Sequence, residues 1–292
     1  MKIALFGRDG QLGWEFQRTL PVLGEVIALG RKDADVSDLG AVEKILGEHK
    51  PDVIINASAY TEVDKAETEV DLAMTINASA PGVMAEMARR LGSVFIHYST
   101  DYVFDGNSTV PYKEEDPTNP LNMYGKSKLV GEQNIQQAGD AYLIFRTSWV
   151  YSLRGNSFVN KVLGWARKNE TLKIVSDQIS SPTWARTLAE ITSLAIAQNK
   201  ADFLEAIRER RGVCHLAGRG YTSRYEWAKH ILANDPNREE QLTRTLEPGL
   251  SSDFPTPAAR PLFSALDCTR FEETFDLQMP EWDSTLRLAM TR

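Results

Sequence analysis

The sequence predicts an α/β fold: a doubly wound parallel sheet, with a smaller substrate-binding part interleaved in the second half of the chain. Three observations predict it. Short apolar runs alternate with amphipathic stretches from residue 2 to about residue 150, the pattern of strands that must cross over through helices to stay parallel. The first run ends in three glycines at three-residue spacing, Gly7-Arg8-Asp9-Gly10-Gln11-Leu12-Gly13. With 292 residues, 42% of them hydrophobic and 25% charged, the chain has ample material for a packed core. The net charge of −7 argues against a nucleic-acid partner, which needs a basic face. Cys214 and Cys268 have neither metal spacing nor the numbers for a disulfide framework and suit a reducing compartment. No apolar run reaches the ~20 residues of a membrane span, and Met1–Gly7 reads as a strand rather than a signal peptide, so a cytoplasmic location is expected.

The elements follow in order. Lys2–Phe6 is the first strand; the glycine turn and an amphipathic stretch to Leu20 complete a Rossmann-type dinucleotide fingerprint. Gly7 permits the tight turn, Gly10 lets backbone N–H groups approach a pyrophosphate, and Gly13 allows close helix–strand packing. The helix N-terminus, with Gln11 and Leu12, then faces the phosphates. Val26–Leu29 is the second strand. Its end carries Gly30-Arg31-Lys32 where an acid would bind the ribose of NAD, so Arg31 points to the 2′-phosphate of NADPH, with NADH left open; Asp35 and Val36 are placed along the adenine. A helix over Ala41–Glu48 precedes a strand over Asp52–Ala57. The small residues after that strand let a ligand lie against backbone, and Ala59, Tyr60 and Thr61 are assigned to the cofactor wall. Val70–Leu91 reads as one long helix, with Asn77 placed to bond loop backbone.

Val94–His97 is the fourth strand, and Thr100 and Asp101 emerge beyond it, where ligands bind in open parallel sheets. A loop over 105–120, with Pro111, Pro117 and Pro120, covers the site and delivers Tyr124 to the next helix. Tyr124 and Lys128 are four residues apart and share a helix face. An ammonium beside a phenol favours phenolate, which is expected to draw Tyr124 toward neutrality and make it a general acid or base. Thr100, Tyr124 and Lys128 together form the candidate catalytic set. Ala141–Thr147 is the fifth strand and leads to Trp149. Beyond it the alternation loosens: helices over Phe158–Ala166, Thr183–Ala197, Ser223–Ala233 and Thr269–Phe275, strands over Lys173–Ser176 and Val213–Ala217, and an irregular tail. Residues 1–149 and 183–211 are assigned to the dinucleotide-binding part, 150–182 and 212–292 to the substrate-binding part.

Phe6–Gly13, the run His97-Tyr98-Ser99-Thr100-Asp101-Tyr102-Val103-Phe104-Asp105-Gly106, the stretch Pro120–Leu129, the segment Arg146–Tyr151 and the late Pro255-Thr256-Pro257-Ala258-Ala259-Arg260-Pro261 resemble the extended short-chain dehydrogenase/reductases of the nucleotide-sugar branch over nearly the whole chain. The proline-rich Arg260 segment points, within that branch, to reduction of the 4-keto group of dTDP-4-dehydro-L-rhamnose, the last step of dTDP-L-rhamnose synthesis. The resemblance implies that Thr100 and Tyr124 contact the carbonyl oxygen, that Lys128 and Tyr124 also touch the nicotinamide end of the cofactor, and that Asp101, Tyr102 and Trp149 hold the sugar. Gln178 and Arg260 are implied to grip the diphosphate. The chain departs from the pattern in two places: Ser157 stands where an asparagine is expected, and Arg186 where relatives are acidic. The latter leaves Glu15 and Glu190 as a poor basis for Mg²⁺, and no metal ligand is assigned. A homodimer is left open. The competing readings are an epimerase or dehydratase on the same scaffold, disfavoured by Tyr102 where a dehydratase needs a second acid, and a non-catalytic NADP-binding regulatory subunit, disfavoured by the intact Thr100, Tyr124 and Lys128.

Overall fold

The computed structural model describes residues 1–199 and 202–291. From the N-terminus, β1 (Lys2–Phe6) runs through the glycine turn into α1 (Gln11–Thr19), followed by β2 (Glu25–Leu29) and α2 (Leu39–His49). Asp38 caps α2 by accepting the Ala41 N–H at 3.0 Å, so the helix starts two residues before the expected Ala41. Then come β3 (Val53–Asn56), the short α3 (Val63–Ala66), α4 (Val70–Met74), a π-helical turn over Thr75–Ser79 and α5 (Ala80–Leu91). The long helix expected over Val70–Leu91 is thus present with a π-bulge in it, a feature that often marks functional sites. Next are β4 (Val94–Thr100), α6 (Met123–Ala138) and β5 (Tyr142–Thr147).

The less regular half contains β6 (Val150–Tyr151), α7 (Phe158–Ala166), β7 (Thr171–Val175), β8 (Ile179–Ser180), β9 (Thr183–Trp184), α8 (Ala185–Gln198) and α9 (Phe203–Arg210). It continues with β10 (Gly212–His215), β11 (Thr222–Ser223), α10 (Arg224–Ala233), β12 (Thr245–Gly249), α11 (Thr269–Phe275) and α12 (Trp282–Met290).

The main sheet has the order β10-β5-β4-β3-β1-β2, and every pair is parallel. Reading from β2, the order 2-1-3-4-5 places the switch of direction between β1 and β3, so the crevice for a ligand opens beyond the carboxyl ends of those strands. Side chains alternate across the sheet: Ile3, Leu5, Val53 and Ile55 pack on one face with α1, α8 and α11, while Ala4, Phe6 and Ile54 pack on the other with α2 and α5. Tyr151, Trp227, Leu286 and their neighbours form a third core among the elements of the second half of the chain.

Two expectations about the second half change. Gly212–His215 pairs with β5 and completes the main sheet, and Phe271 and Phe275 of α11 join its core, so the stretch from 212 onward does not lie wholly in the substrate-binding part. The tail is not irregular: α12 packs Leu286, Ala289 and Met290 into the third core. No helix of the described residues is long and apolar enough to cross a membrane.

Candidate active site

At the amino end of α1 the first turn has no side-chain cap, which leaves its N–H groups directed at the crevice. A Cβ on Gly13 would run into the Gly7 carbonyl, so the helix can approach the strand this closely only with glycine there. The Gln11 Oε1 in the same turn is buried without a hydrogen-bond partner, a polar atom awaiting a donor. The turn therefore fits a dinucleotide pyrophosphate. Across the crevice, Asn77 on the π-turn accepts the Tyr60 N–H at 2.9 Å and donates to the Tyr60 carbonyl at 3.0 Å and to Ser127 Oγ at 3.0 Å. It pins the small-residue wall of Ala59, Tyr60 and Thr61 to α6, while the Tyr60 hydroxyl turns to Glu69 at 2.8 Å. At the far end of the crevice Arg31 is exposed and paired with Asp35 at 3.1 Å, and Val36 packs into the neighbouring core.

The catalytic set converges where β4 ends. Asn122 caps α6, accepting the Gly125 N–H at 2.8 Å, and its amide donates to the Ala259 carbonyl at 2.7 Å. Gly125 has no room for a Cβ because the Tyr102 carbonyl lies against it, so the helix start and the turn over Asp101–Val103 touch. This sets the Tyr124 ring edge-on to Tyr102 with centroids 5.7 Å apart, and the Thr100 hydroxyl lies beside the Tyr124 phenol. Lys128, 1% exposed, donates to the Tyr98 carbonyl at 2.6 Å and contacts His97 Nε2 at 3.1 Å.

The electrostatics reverse one expectation. Lys128 does not draw Tyr124 toward neutrality. Burial pushes the phenol above its ordinary value, Asp101 and Tyr102 add to the rise, and only the Thr100 hydroxyl acts in the other direction. Burial likewise brings Lys128 down to about 7 against the opposing charge of Glu132. An ammonium can tune a phenol only while it stays charged, and burial works against that. Burial therefore favours the neutral form of the Tyr124 phenol.

Asp101 also differs from its expected sugar-binding role. Its carboxylate is buried and receives hydroxyls from Ser264 at 2.5 Å, Ser180 at 3.1 Å, Ser148 at 3.2 Å and Thr100 at 3.2 Å. It knots the ends of β4 and β5 to β8 and to the chain near Ser264, and its side chain is not free for a sugar. Burial raises its pKa in spite of the four hydroxyls.

The remaining candidates meet around a residue that the sequence reading missed. Arg224, at the start of α10, donates to Gln178 Oε1 at 3.0 Å, lies 4.2 Å from the centre of the Trp149 ring and acts electrostatically on Tyr102. Trp149 is held at φ 39°, a left-handed conformation costly for a bulky residue, and stacks on Trp227 at 5.5 Å. Tyr102 also lies within electrostatic reach of Arg260, which forks onto Asp64 at 2.8 and 3.1 Å. Gln178 and Arg260 line one cavity of 280 Å³ with Ser251, Pro255 and Thr256. Arg224 is half-buried and has no carboxylate within ion-pair distance among the described residues, with Asp101 acting on its charge from further away. Its only sequence signal was the serine cap before a helix at Ser223. Ser157, the other departure, caps α7 by accepting the Asn160 N–H at 3.3 Å. Arg186 pairs with Glu190 at 2.8 Å and Arg18 approaches Glu15 at 3.8 Å, and among the described residues no three metal-ligating side chains cluster.

A doubly wound sheet with a glycine-rich phosphate turn and a threonine, tyrosine and lysine at the end of its fourth strand defines a short-chain dehydrogenase/reductase. More narrowly, the chain belongs to the family described as RmlD substrate binding domain, whose model matches residues 1–292. It is 42% identical to the dTDP-4-dehydrorhamnose reductase of Burkholderia thailandensis, over 97% of this chain and 95% of that one. Its structure is similar to that of a dTDP-4-dehydrorhamnose reductase from Clostridium acetobutylicum, with a TM-score of 0.90, 36% identity and coverage of 99% and 98% of the two chains. It is also similar to the Bacillus anthracis dTDP-4-dehydrorhamnose reductase solved in complex with NADP, with a TM-score of 0.87, 32% identity and coverage of 98% and 97%.

Proposed function

We propose that this chain reduces the 4-keto group of dTDP-4-dehydro-L-rhamnose to give dTDP-L-rhamnose, using NADPH. The observation that carries the reading is the Tyr124 phenol, set beside the Thr100 hydroxyl and edge-on to Tyr102, with the charges of Arg224 and Arg260 acting on Tyr102. A reductase needs a proton donor at the carbonyl and cations for a diphosphate some ångströms beyond it, and these residues supply both. The relatives named above support the substrate and the cofactor.

NADPH, when bound, supplies the hydride. The turn at Gly7, Gly10, Gln11, Leu12 and Gly13 holds its pyrophosphate, Ala59, Tyr60 and Thr61 line its path, and Arg31 with Asp35 and Val36 lies at its adenosine end. Thr100 and Tyr124 hydrogen-bond the substrate carbonyl oxygen, and Tyr124 gives its proton to the alkoxide as it forms. Lys128 is placed toward the nicotinamide ribose. Trp149 and Tyr102 shape the sugar site. Gln178, Arg224 and Arg260 take the diphosphate, for which the arginine forks are suited.

NADPH oxidation measured across dTDP-, UDP- and GDP-linked 4-keto-6-deoxy sugars tests this. One NADPH consumed per dTDP-linked ketone is expected. Turnover without net NADPH oxidation would identify an epimerase or dehydratase instead, and NADPH binding with no turnover on any of them a regulatory subunit.

A further inference from the structure

At the adenosine end of the crevice the fold supplies an acid that the linear pattern does not show. β2 ends at Leu29, and the next residue, where an acid would meet the ribose of NAD, is Gly30. Asp33 fills that place from further along the chain. The backbone folds back at Gly30, whose carbonyl accepts the Asp33 and Ala34 N–H groups at 3.0 Å, and Asp33 Oδ2 accepts the Gly30 N–H at 2.9 Å. Its carboxylate therefore sits at the first amide after β2. Asp33 also lies twenty residues after Gly13, the separation at which a dinucleotide fold carries its ribose-binding acid. Arg8 reaches the same point from β1. The Gly7 and Arg8 N–H groups both donate to the Leu29 carbonyl, at 3.0 and 3.2 Å, which joins the glycine turn to the end of β2. Arg8 Nη1 then donates to the Ala28 carbonyl at 3.0 Å and pairs with Asp33 Oδ2 at 2.9 Å.

The pair leaves complementary groups unused. Asp33 Oδ2 takes both the Gly30 N–H and Arg8, while Oδ1 accepts no hydrogen bond among the described residues. On Arg8 only Nη1 donates a hydrogen bond among those residues, and Nε approaches the Asp9 carboxylate no closer than 3.6 Å. The two side chains are 35% and 38% exposed, so a ligand can reach both. An acceptor-only oxygen suits a ribose 2′-hydroxyl and repels a 2′-phosphate, whereas the open Nε–Nη2 edge of a guanidinium suits phosphate oxygens. Arg31, by contrast, has a side chain 79% exposed and is paired with Asp35 at 3.1 Å. We propose that Arg8 and Asp33 set the choice between NADPH and NADH, with Arg8 receiving the 2′-phosphate and Asp33 the 2′-hydroxyl. Because each holds the other in place, neither cofactor is strongly excluded, and Arg31 stays at the rim. The inference deepens the reductase reading and rests on the crevice holding a nicotinamide dinucleotide.

Fluorescence titration with NADPH and with NADH, on protein without sugar, tests the assignment. Arg8→Met should weaken NADPH by roughly 10–100-fold, the usual contribution of a charged hydrogen bond to phosphate, and NADH by no more than a few-fold. Asp33→Asn keeps an oxygen for the Gly30 N–H but removes the charge. It should tighten NADPH by on the order of tenfold and weaken NADH. An unchanged ratio of the two dissociation constants in Asp33→Asn overturns the proposal. So does a larger change of that ratio in an Arg31→Ala, Lys32→Ala double variant than in Arg8→Met. Thermal melts check the fold of each variant, and should Arg8→Met fail to fold, Asp33→Asn decides alone. Binding is read without turnover, so a protein that shows these shifts yet reduces no keto sugar loses the reductase reading and keeps Arg8 and Asp33 as its cofactor selectors.

Discussion

The surroundings of Tyr124 penalise phenolate, and Tyr124→Phe removes the proton proposed for transfer while keeping the ring against Tyr102. The kcat should fall about 10²–10⁴-fold, the usual contribution of a general acid, with thermal melting and NADPH binding unchanged. Activity within a few-fold of wild type would remove Tyr124 from its role. Arg224 makes a different demand. A charged hydrogen bond to phosphate is worth about 1.5–3 kcal/mol, so Arg224→Met should raise KM for the nucleotide sugar by roughly 10–100-fold and leave NADPH affinity alone. Arg224→Lys should recover only part of that, since an ammonium cannot both hold Gln178 and fork onto a phosphate. An unchanged KM in Arg224→Met would show that the diphosphate lies elsewhere.

Among the elements, α1 depends most on one residue. Gly13→Val places a branched side chain where the Gly7 carbonyl already sits, so the helix must back away from the crevice. Overpacking of this kind costs about 1–3 kcal/mol, and the displaced N–H groups should weaken NADPH binding by more than the drop in melting temperature would suggest. Fluorescence titration and thermal melts on the same sample separate the two effects. The segment around residues 256–260 is tied across the site by Arg260 to Asp64, by Asn122 to the Ala259 carbonyl and by the Ala258 N–H to Asp64 at 3.2 Å. Asp64→Asn removes the charge from that tether and leaves Arg260 held by Thr256 and the Ala258 carbonyl. It should raise KM for the nucleotide sugar and make the 250–260 stretch more open to proteolysis when no sugar is bound; identical cleavage rates would show that the tether does not order the segment.

For the molecule as a whole, buried histidines set the acid limb of stability. Burial holds His215 at about 3, with Arg146 adding to the effect, while its Nδ1 bonds the Tyr112 carbonyl at 3.0 Å. An unfolded histidine titrates near ~6.5. Between those values the unfolded chain binds a proton that the native chain excludes, so stability is fully present above about pH 6.5 and declines as pH falls toward about 3. At pH 5 the loss from His215 is on the order of 2 kcal/mol, and His97 adds to it in the same direction. Urea melts of the wild type and of His215→Gln should converge as pH falls from 7 to 5, and parallel curves would contradict the assignment.

How much of this was legible along the chain depended on whether the signal was local. The first strand and its glycine turn, the hydroxyl leaving β4, and the tyrosine and lysine at helical spacing are each set by residues within a few positions of one another, and their order already implied the crevice at the β1/β3 switch. Arg224 stayed hidden because a lone arginine after a helix cap has no motif, and its meaning comes from Trp149, Gln178 and Tyr102, which are distant in sequence. The return of Gly212–His215 to the edge of the main sheet was likewise unreadable, since a four-residue strand does not announce its partner. The sequence by itself determined the fold class and the family and nominated the candidate catalytic set, because spacing and periodicity are properties of neighbours. Only the tertiary structure decided the desolvation of Tyr124 and Lys128, the inward turn of Asp101 and the place of Arg224 beside Trp149 and Gln178, because desolvation and pairing depend on what the rest of the chain packs around a group.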